Sequence, residues 1–153
     1  MAPMEREPCL ISACLLGINC RYDGTHRALD PKVIAELINA FYLIPVCPEQ
    51  LGGLPTPRPP AQFFGGTGKE LIHGRAKLVD EEGRETTSYI LKAAEEVLKL
   101  TDLFGIKTAI FKDKSPACGV ERVYMEGQFV SGEGVVTAAL RTRGVKILSG
   151  DSL

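Results

Sequence analysis

Tryptophan is absent from this 153-residue chain, histidine occurs twice, and phenylalanine and tyrosine supply all of the 7% that is aromatic. His26 and His73 both lie in polar loop contexts and carry no assigned role. No apolar run spans a bilayer: the greasiest, residues 37–46, falls well short of the roughly 20 residues a membrane helix needs. The opening MAPMEREP has charge and proline where a secretory signal carries an apolar segment, so a soluble, cytoplasmic protein is expected. Charge of either sign is not in surplus. With 18 basic and 19 acidic residues and a net charge of -1, the whole-chain field attracts neither nucleic acid nor an anionic membrane. Repeats and low-complexity tracts are also missing, and the length suits one domain over residues 1–153 with a sizeable core.

What is present is cysteine, five residues of it. An odd count without an export signal disfavours a disulfide framework and directs attention to metal binding or catalysis. Close Cys-x-x-Cys pairs, the mark of zinc ribbons and dithiol redox sites, do not occur. Instead Cys14, Cys47 and Cys118 each stand at or just past the end of an apolar run, in CLISAC, YLIPVCPE and TAIFKDKSPACG. Cys9 begins such a run and reads as core packing. Cys20, six residues after Cys14, could join it on one metal or be an inert small hydrophobe, and without a Cys-x-x-Cys spacing the pair is weak evidence for a site.

The periodicity predicts a strand over 9–14 and a helix over 31–41 with Asp30 as N-cap and Pro31 at its first position. A second buried strand over 42–47 completes a strand–helix–strand unit, which requires a right-handed parallel crossover. Residues 52–68, rich in proline and glycine, read as a functional loop, and 70–78 with the turn at 80–83 as an edge hairpin. A helix over 87–103, a strand over 107–111, a small hairpin over 123–130, a helix over 134–143 and a last strand over 145–148 follow. This alternation predicts an α/β protein with a three-layer, Rossmann-like fold and a mostly parallel sheet. In such a sheet the carboxyl ends of the strands face one crevice, where three thiols distant in sequence can meet on one metal centre with a coordination position left open.

Three thiolates could hold zinc and a water, but cysteine-rich zinc sites usually draw ligands as close pairs. A cubane iron–sulfur cluster accepts ligands from separate loops more readily, because its iron corners lie apart, and an iron lacking a protein ligand could bind a soft atom such as substrate sulfur. Glu49, two residues past Cys47, is either placed to move protons or a solvated loop glutamate, and Ser115, three before Cys118, either orients substrate or water or starts the turn at Pro116. Lys112 and Lys114 either favour a thiolate at Cys118 or are solvated loop charges. Arg21, Tyr22, Asp23 and Arg58 either shape a pocket or form a turn and an ion pair.

At these residues the sequence resembles the thiouracil desulfidase family, over nearly the whole chain from Ser12 onward. The blocks that carry the resemblance are SACLLGINCRYDG, IPVCPEQLGGLPTPRPPAQ, the acid–threonine helix start at 85–87, KDKSPACG and GEGVVTAAL. It implies a [4Fe-4S] cluster bound by Cys14, Cys47 and Cys118 with one iron not ligated by protein, and catalytic roles for Glu49 and Ser115. The implied reaction removes sulfur from a thiolated pyrimidine such as 2-thiouracil, leaving the oxo base and sulfide without external electrons. Gln62 departs from the pattern, since the family often carries an acid there. The expected partner is a small thiolated base or nucleoside, RNA being less favoured by the charge, and the expected state a monomer or small homo-oligomer. The alternatives are a desulfidase acting on thiouridine in tRNA, and a non-catalytic iron–sulfur or zinc binding module.

Overall fold

The computed structural model describes residues 6–153; of the MAPMEREP segment, residues 1–5 lie outside the described part. Four parallel strands form the main sheet in the order β2-β1-β5-β8, comprising β1 (Glu7–Ser12), β2 (Phe41–Val46), β5 (Thr108–Phe111) and β8 (Lys146–Ser149). β1 and β5 are central and read as continuous apolar runs, CLI and AIF, because both of their faces are covered. On one face Leu10, Ala109 and Phe111 pack against α4 (Thr87–Phe104) and α5 (Val135–Thr142). On the other, Cys9, Ile11 and Ile110 meet Leu37 of α1 (Pro31–Ala40) and Leu16 and Leu29 of the segment before it. Cys9 is therefore a core residue, and fully burying each of its Leu and Ile neighbours stabilises the fold by about 1.5–3 kcal/mol. The three layers match the expected architecture.

α1 starts as its sequence dictates: the Asp30 carboxylate accepts the Lys32 N–H at 2.8 Å, with Pro31 at the first helical position. Residues 52–68 depart from the expected loop, since they contain β3 (Ala61–Phe64). The edge hairpin expected over 70–78 is also displaced. Residues 68–72 form a short helix, α3 (Gly68–Ile72), with a capping box between Thr67 and Glu70. β4 (Lys77–Asp80) pairs antiparallel with β3 instead. With the hairpin of β6 (Arg122–Met125) and β7 (Gln128–Ser131), β3 and β4 build a second sheet in the order β4-β3-β6-β7. Gln62, the departure from the family pattern, ties this sheet together by accepting the Gly127 N–H at 2.7 Å. A four-residue helix that periodicity could not reveal, α2 (Pro48–Leu51), follows β2 and has Cys47 as its N-cap. Among the described residues no helix is long and apolar enough to cross a membrane.

Candidate functional site

Strand order explains why the three cysteines meet. The chain leaves β1 through α1 to reach β2 on one side, and β5 lies on the other side of β1, so the connections diverge at the carboxyl end of the sheet and open a crevice there. Cys47 follows β2, Cys14 follows β1 and Cys118 lies in the loop after β5, which are three adjacent strands. All three line one cavity of about 740 Å³, together with Glu49, Ser115 and Arg58. The second sheet and α4 provide the opposite wall through Leu78, Tyr89 and Phe129.

Each side chain is held by local structure. Cys14 sits in a 3-10 turn, Ala13–Leu16, closed by Gly17 in the left-handed region at φ 96°. Its carbonyl accepts the Arg27 N–H at 2.9 Å, which folds the RYDG segment back over the turn. Glu49 lies in the first turn of α2, and its Oε2 faces Ser115 Oγ at 3.3 Å and Arg58 Nη2 at 3.4 Å. Ser115 Oγ accepts the N–H groups of Ala117 at 3.1 Å and Cys118 at 3.0 Å, so its one proton is available to Glu49. Arg58 comes from the proline-rich loop, whose backbone is anchored where the Arg58 N–H donates to the Tyr22 carbonyl at 2.8 Å. Its guanidinium also donates to the carbonyls of Cys20 and Pro55, both at 3.2 Å. Side-chain exposures of only 7% for Arg58 and 11% for Glu49 make this a buried ion pair.

The loop carrying Cys118 is built around Asp113, to which the sequence reading gave no role. Burial opposes ionisation of this side chain, but its Oδ1 accepts four backbone N–H bonds, from Lys114, Val120, Glu121 and Arg122, at 2.8 to 3.1 Å. These donors hold its carboxyl below the usual carboxylate range. The other side of the loop rests on α5: Val135 and Val136 donate N–H groups to the carbonyls of Pro116 and Ala117 at 2.9 and 3.0 Å. A Cβ at Gly134 would stand 2.4 Å from the Ala117 carbonyl, so the GEG sequence is the seat on which the cysteine loop lies.

Electrostatics decides what the thiols want. Burial raises all of them, Cys14 to about 11, Cys47 to about 12 and Cys118 well above its ordinary value, and the negative charge of Glu49 adds to each shift. Cys20 is also raised, first by burial, and its carbonyl accepts the Cys47 S–H at 3.5 Å. Without a cation these groups keep their protons; iron would displace them. Among the described residues no three His, Cys, Asp or Glu side chains converge closely enough to hold a single metal ion. Three soft donors on separate loops, spread around one cavity, therefore fit a cluster with separated iron corners better than one zinc ion.

The structure thus brings together Cys14, Cys47, Cys118, Glu49, Ser115 and Arg58. His26 and His73 are exposed and stand outside the crevice. Lys112 pairs with Asp151 at 3.0 Å and Lys114 lies over the Phe129 ring, 5.5 Å from its centroid, so neither is a simple solvated charge. Arg21 and Asp23 sit 3.7 Å apart within their own turn, although Arg21 and Tyr22 also reach the crevice lining.

Known proteins resemble the chain over nearly its whole length. Residues 9–152 match the family model described as 2-thiouracil desulfurase. YbbK of Bacillus subtilis (strain 168), an uncharacterized protein, is 36% identical over 147 residues, covering 94% of this chain and 96% of its own length. A solved structure described as the [4Fe-4S]-dependent thiouracil desulfidase TudS superposes with a TM-score of 0.83 at 38% identity. That match covers 97% of this chain and 93% of that one.

Proposed function

The chain belongs to the 2-thiouracil desulfurase family, and on that premise we propose that it is an iron–sulfur-dependent desulfidase converting a thiolated pyrimidine into its oxo base and hydrogen sulfide. The observation that carries this reading is that three thiols and a Glu–Ser pair line one crevice at the carboxyl ends of adjacent parallel strands. Cys14, Cys47 and Cys118 would hold a [4Fe-4S] cluster, leaving one iron without a ligand from the protein. When bound, the cluster supplies a soft Lewis acid for the thiocarbonyl sulfur.

The remaining work belongs to the chain's own side chains. Glu49 takes a proton from the water that attacks the ring carbon and returns protons to the departing sulfur and the ring. Ser115, whose Oγ is fixed by two backbone N–H donors, holds Glu49 Oε2 in place and can pass its own proton along the same line. Arg58 gives Glu49 a buried counter-charge and limits its rotation. One C=S bond is exchanged for C=O, one water is consumed, one hydrogen sulfide leaves, and no electrons are transferred. The 740 Å³ crevice accommodates a base or nucleoside, within the range of about 300–1,000 Å³ usual for small-molecule sites. That size and the near-neutral charge favour a small substrate over tRNA. Five free cysteines among the described residues suit the reducing cytosol.

The test is anaerobic reconstitution with iron and sulfide, then incubation with 2-thiouracil, 4-thiouracil and 4-thiouridine while following thiocarbonyl absorbance. About four irons per chain and loss of one substrate's band are expected. A zinc-loaded, inactive protein would instead identify a binding module.

A further inference from the structure

Aromatic side chains are few in this chain, yet they gather. Three of the four tyrosines, Tyr22, Tyr89 and Tyr124, line the crevice together with Phe129. All four are exposed, from 38% for Tyr124 to 52% for Phe129. Large apolar side chains left open and collected in one place mark a ligand groove rather than a core. Phe129 is also fastened to the reacting residues. It faces Tyr124 across the β6–β7 hairpin, the two ring centroids 5.1 Å apart at an interplanar angle of 70°, which is edge-to-face packing. Tyr124 is itself fixed, since its hydroxyl donates to the Gly127 carbonyl at 3.0 Å. The Lys114 ammonium lies over the Phe129 ring, 5.5 Å from its centroid, and Lys114 directly precedes Ser115. At φ 71° Lys114 occupies the left-handed region, uncommon for a residue other than glycine, and its backbone bridges to Val123, the neighbour of Tyr124. A Cβ at Gly119 would stand 2.6 Å from Val123 Cγ1, so the loop bearing Ser115 and Cys118 rests directly on the strand that holds the rings.

We propose that Phe129 is the residue on which the pyrimidine ring of the substrate stacks, a specificity-determining wall that selects a planar π-system and directs its thiocarbonyl across the crevice to the cysteines. The inference rests on the desulfidase reading above. Stacking is indifferent to the exocyclic atoms, because every base has a π-face, so the thiolated substrate and its oxo product gain alike from the ring. Binding that is the same in the ground state and the transition state lowers KM and leaves kcat unaltered. Phe129 is half exposed on β7, an edge strand of the second sheet, so its side chain can be exchanged with little effect on stability.

The experiment compares Phe129→Ala, Phe129→Leu and Phe129→Trp holoproteins with the parent, using whichever of 2-thiouracil, 4-thiouracil and 4-thiouridine the parent turns over, and measures kcat, KM and the inhibition constant of the oxo product. Phe129→Ala should raise KM and the product inhibition constant together by about 5–100-fold. Its kcat should change by less than about twofold. Phe129→Leu keeps apolar area without a π-face and should recover only part of the loss, whereas Phe129→Trp should bind at least as tightly as the parent. The chain has no tryptophan of its own, so Phe129→Trp also adds a single indole, whose emission the oxo product should quench. A Phe129→Ala or Phe129→Leu protein with the parent's KM, or indole emission unmoved by saturating product, overturns the inference. Failure of the underlying reading looks different: a parent that turns over none of the three compounds removes the desulfidase itself, whereas turnover with an unmoved KM removes only the stacking wall.

Discussion

Replacing Asp113 should loosen the loop that carries Cys118 and destabilise the chain. In Asp113→Ala the N–H groups of Val120, Glu121 and Arg122 lose their acceptor, that of Lys114 keeps only the Arg122 carbonyl, and that of buried Val120 has least access to water as a substitute. A hydrogen bond to a charged group contributes about 1.5–3 kcal/mol, but these four share one oxygen and are not additive, so a total of about 3–5 kcal/mol is expected. For a chain of this length that corresponds to a melting temperature lower by about 6–20 °C. In urea, with a slope near 2 kcal/mol/M, the midpoint should fall by about 1.5–2.5 M. Asp113→Asn keeps an oxygen but not the charge and should lose about 1–2 kcal/mol. The depressed carboxyl also sets a pH dependence. Its contribution is complete above the unfolded value of about 3.9 and is lost as pH falls through the lower folded value, so the parent and Asp113→Asn should converge in stability below about pH 4. Urea titrations followed by circular dichroism at pH 7 and pH 3 measure this. Melting within 2 °C of the parent for both variants would refute the idea that Asp113 organises the cysteine loop.

Other substitutions separate chemistry from scaffold. Glu49→Gln should retain iron and the cluster's visible absorption while kcat falls by about 10²–10⁴; undiminished turnover would remove Glu49 from the mechanism. Arg58→Met leaves a buried carboxylate without its counter-charge and should destabilise the chain by about 3 kcal/mol, part of which Glu49→Gln in the same chain should recover; strict additivity in this cycle would show that the pair is not coupled. Cys20→Ala should keep the parent's iron content and activity, whereas loss of iron would make it a ligand. Gly134→Ala drives a methyl into the Ala117 carbonyl and should lower cluster occupancy as well as stability, both readable from iron content and thermal melts.

Most of the main sheet was legible because its strands are short apolar runs bounded by turn residues and separated by amphipathic helices, as in 42–47 and 87–103. The cysteines were legible for the same reason: a parallel sheet converts equivalent positions at strand ends into neighbours. Of the second sheet, the β6–β7 hairpin was legible over 123–130, whereas β3 and its pairing with β4 were not. β3 follows a tract of prolines and is held mainly by pairing with β4 and by the Gln62 tie, contacts made far along the chain that leave no local period. α2 is a single turn and α3 spans only five residues, below the length at which helical spacing shows. Asp113 escaped notice because its partners are backbone N–H groups brought in by the fold, which no spacing rule encodes. Arg58 was a candidate, but only the closure of its loop over Tyr22 shows that it serves Glu49.

The central claim is that Cys14, Cys47 and Cys118 hold a cluster with one iron left for substrate. Mössbauer spectra of protein reconstituted with iron-57, recorded with and without 2-thiouracil, test it directly. Four irons are expected, of which one is distinct and alone changes when substrate binds, with all cluster signal lost in Cys47→Ser. Four irons that ignore substrate, or a Cys47→Ser protein with an unaltered cluster, would contradict it.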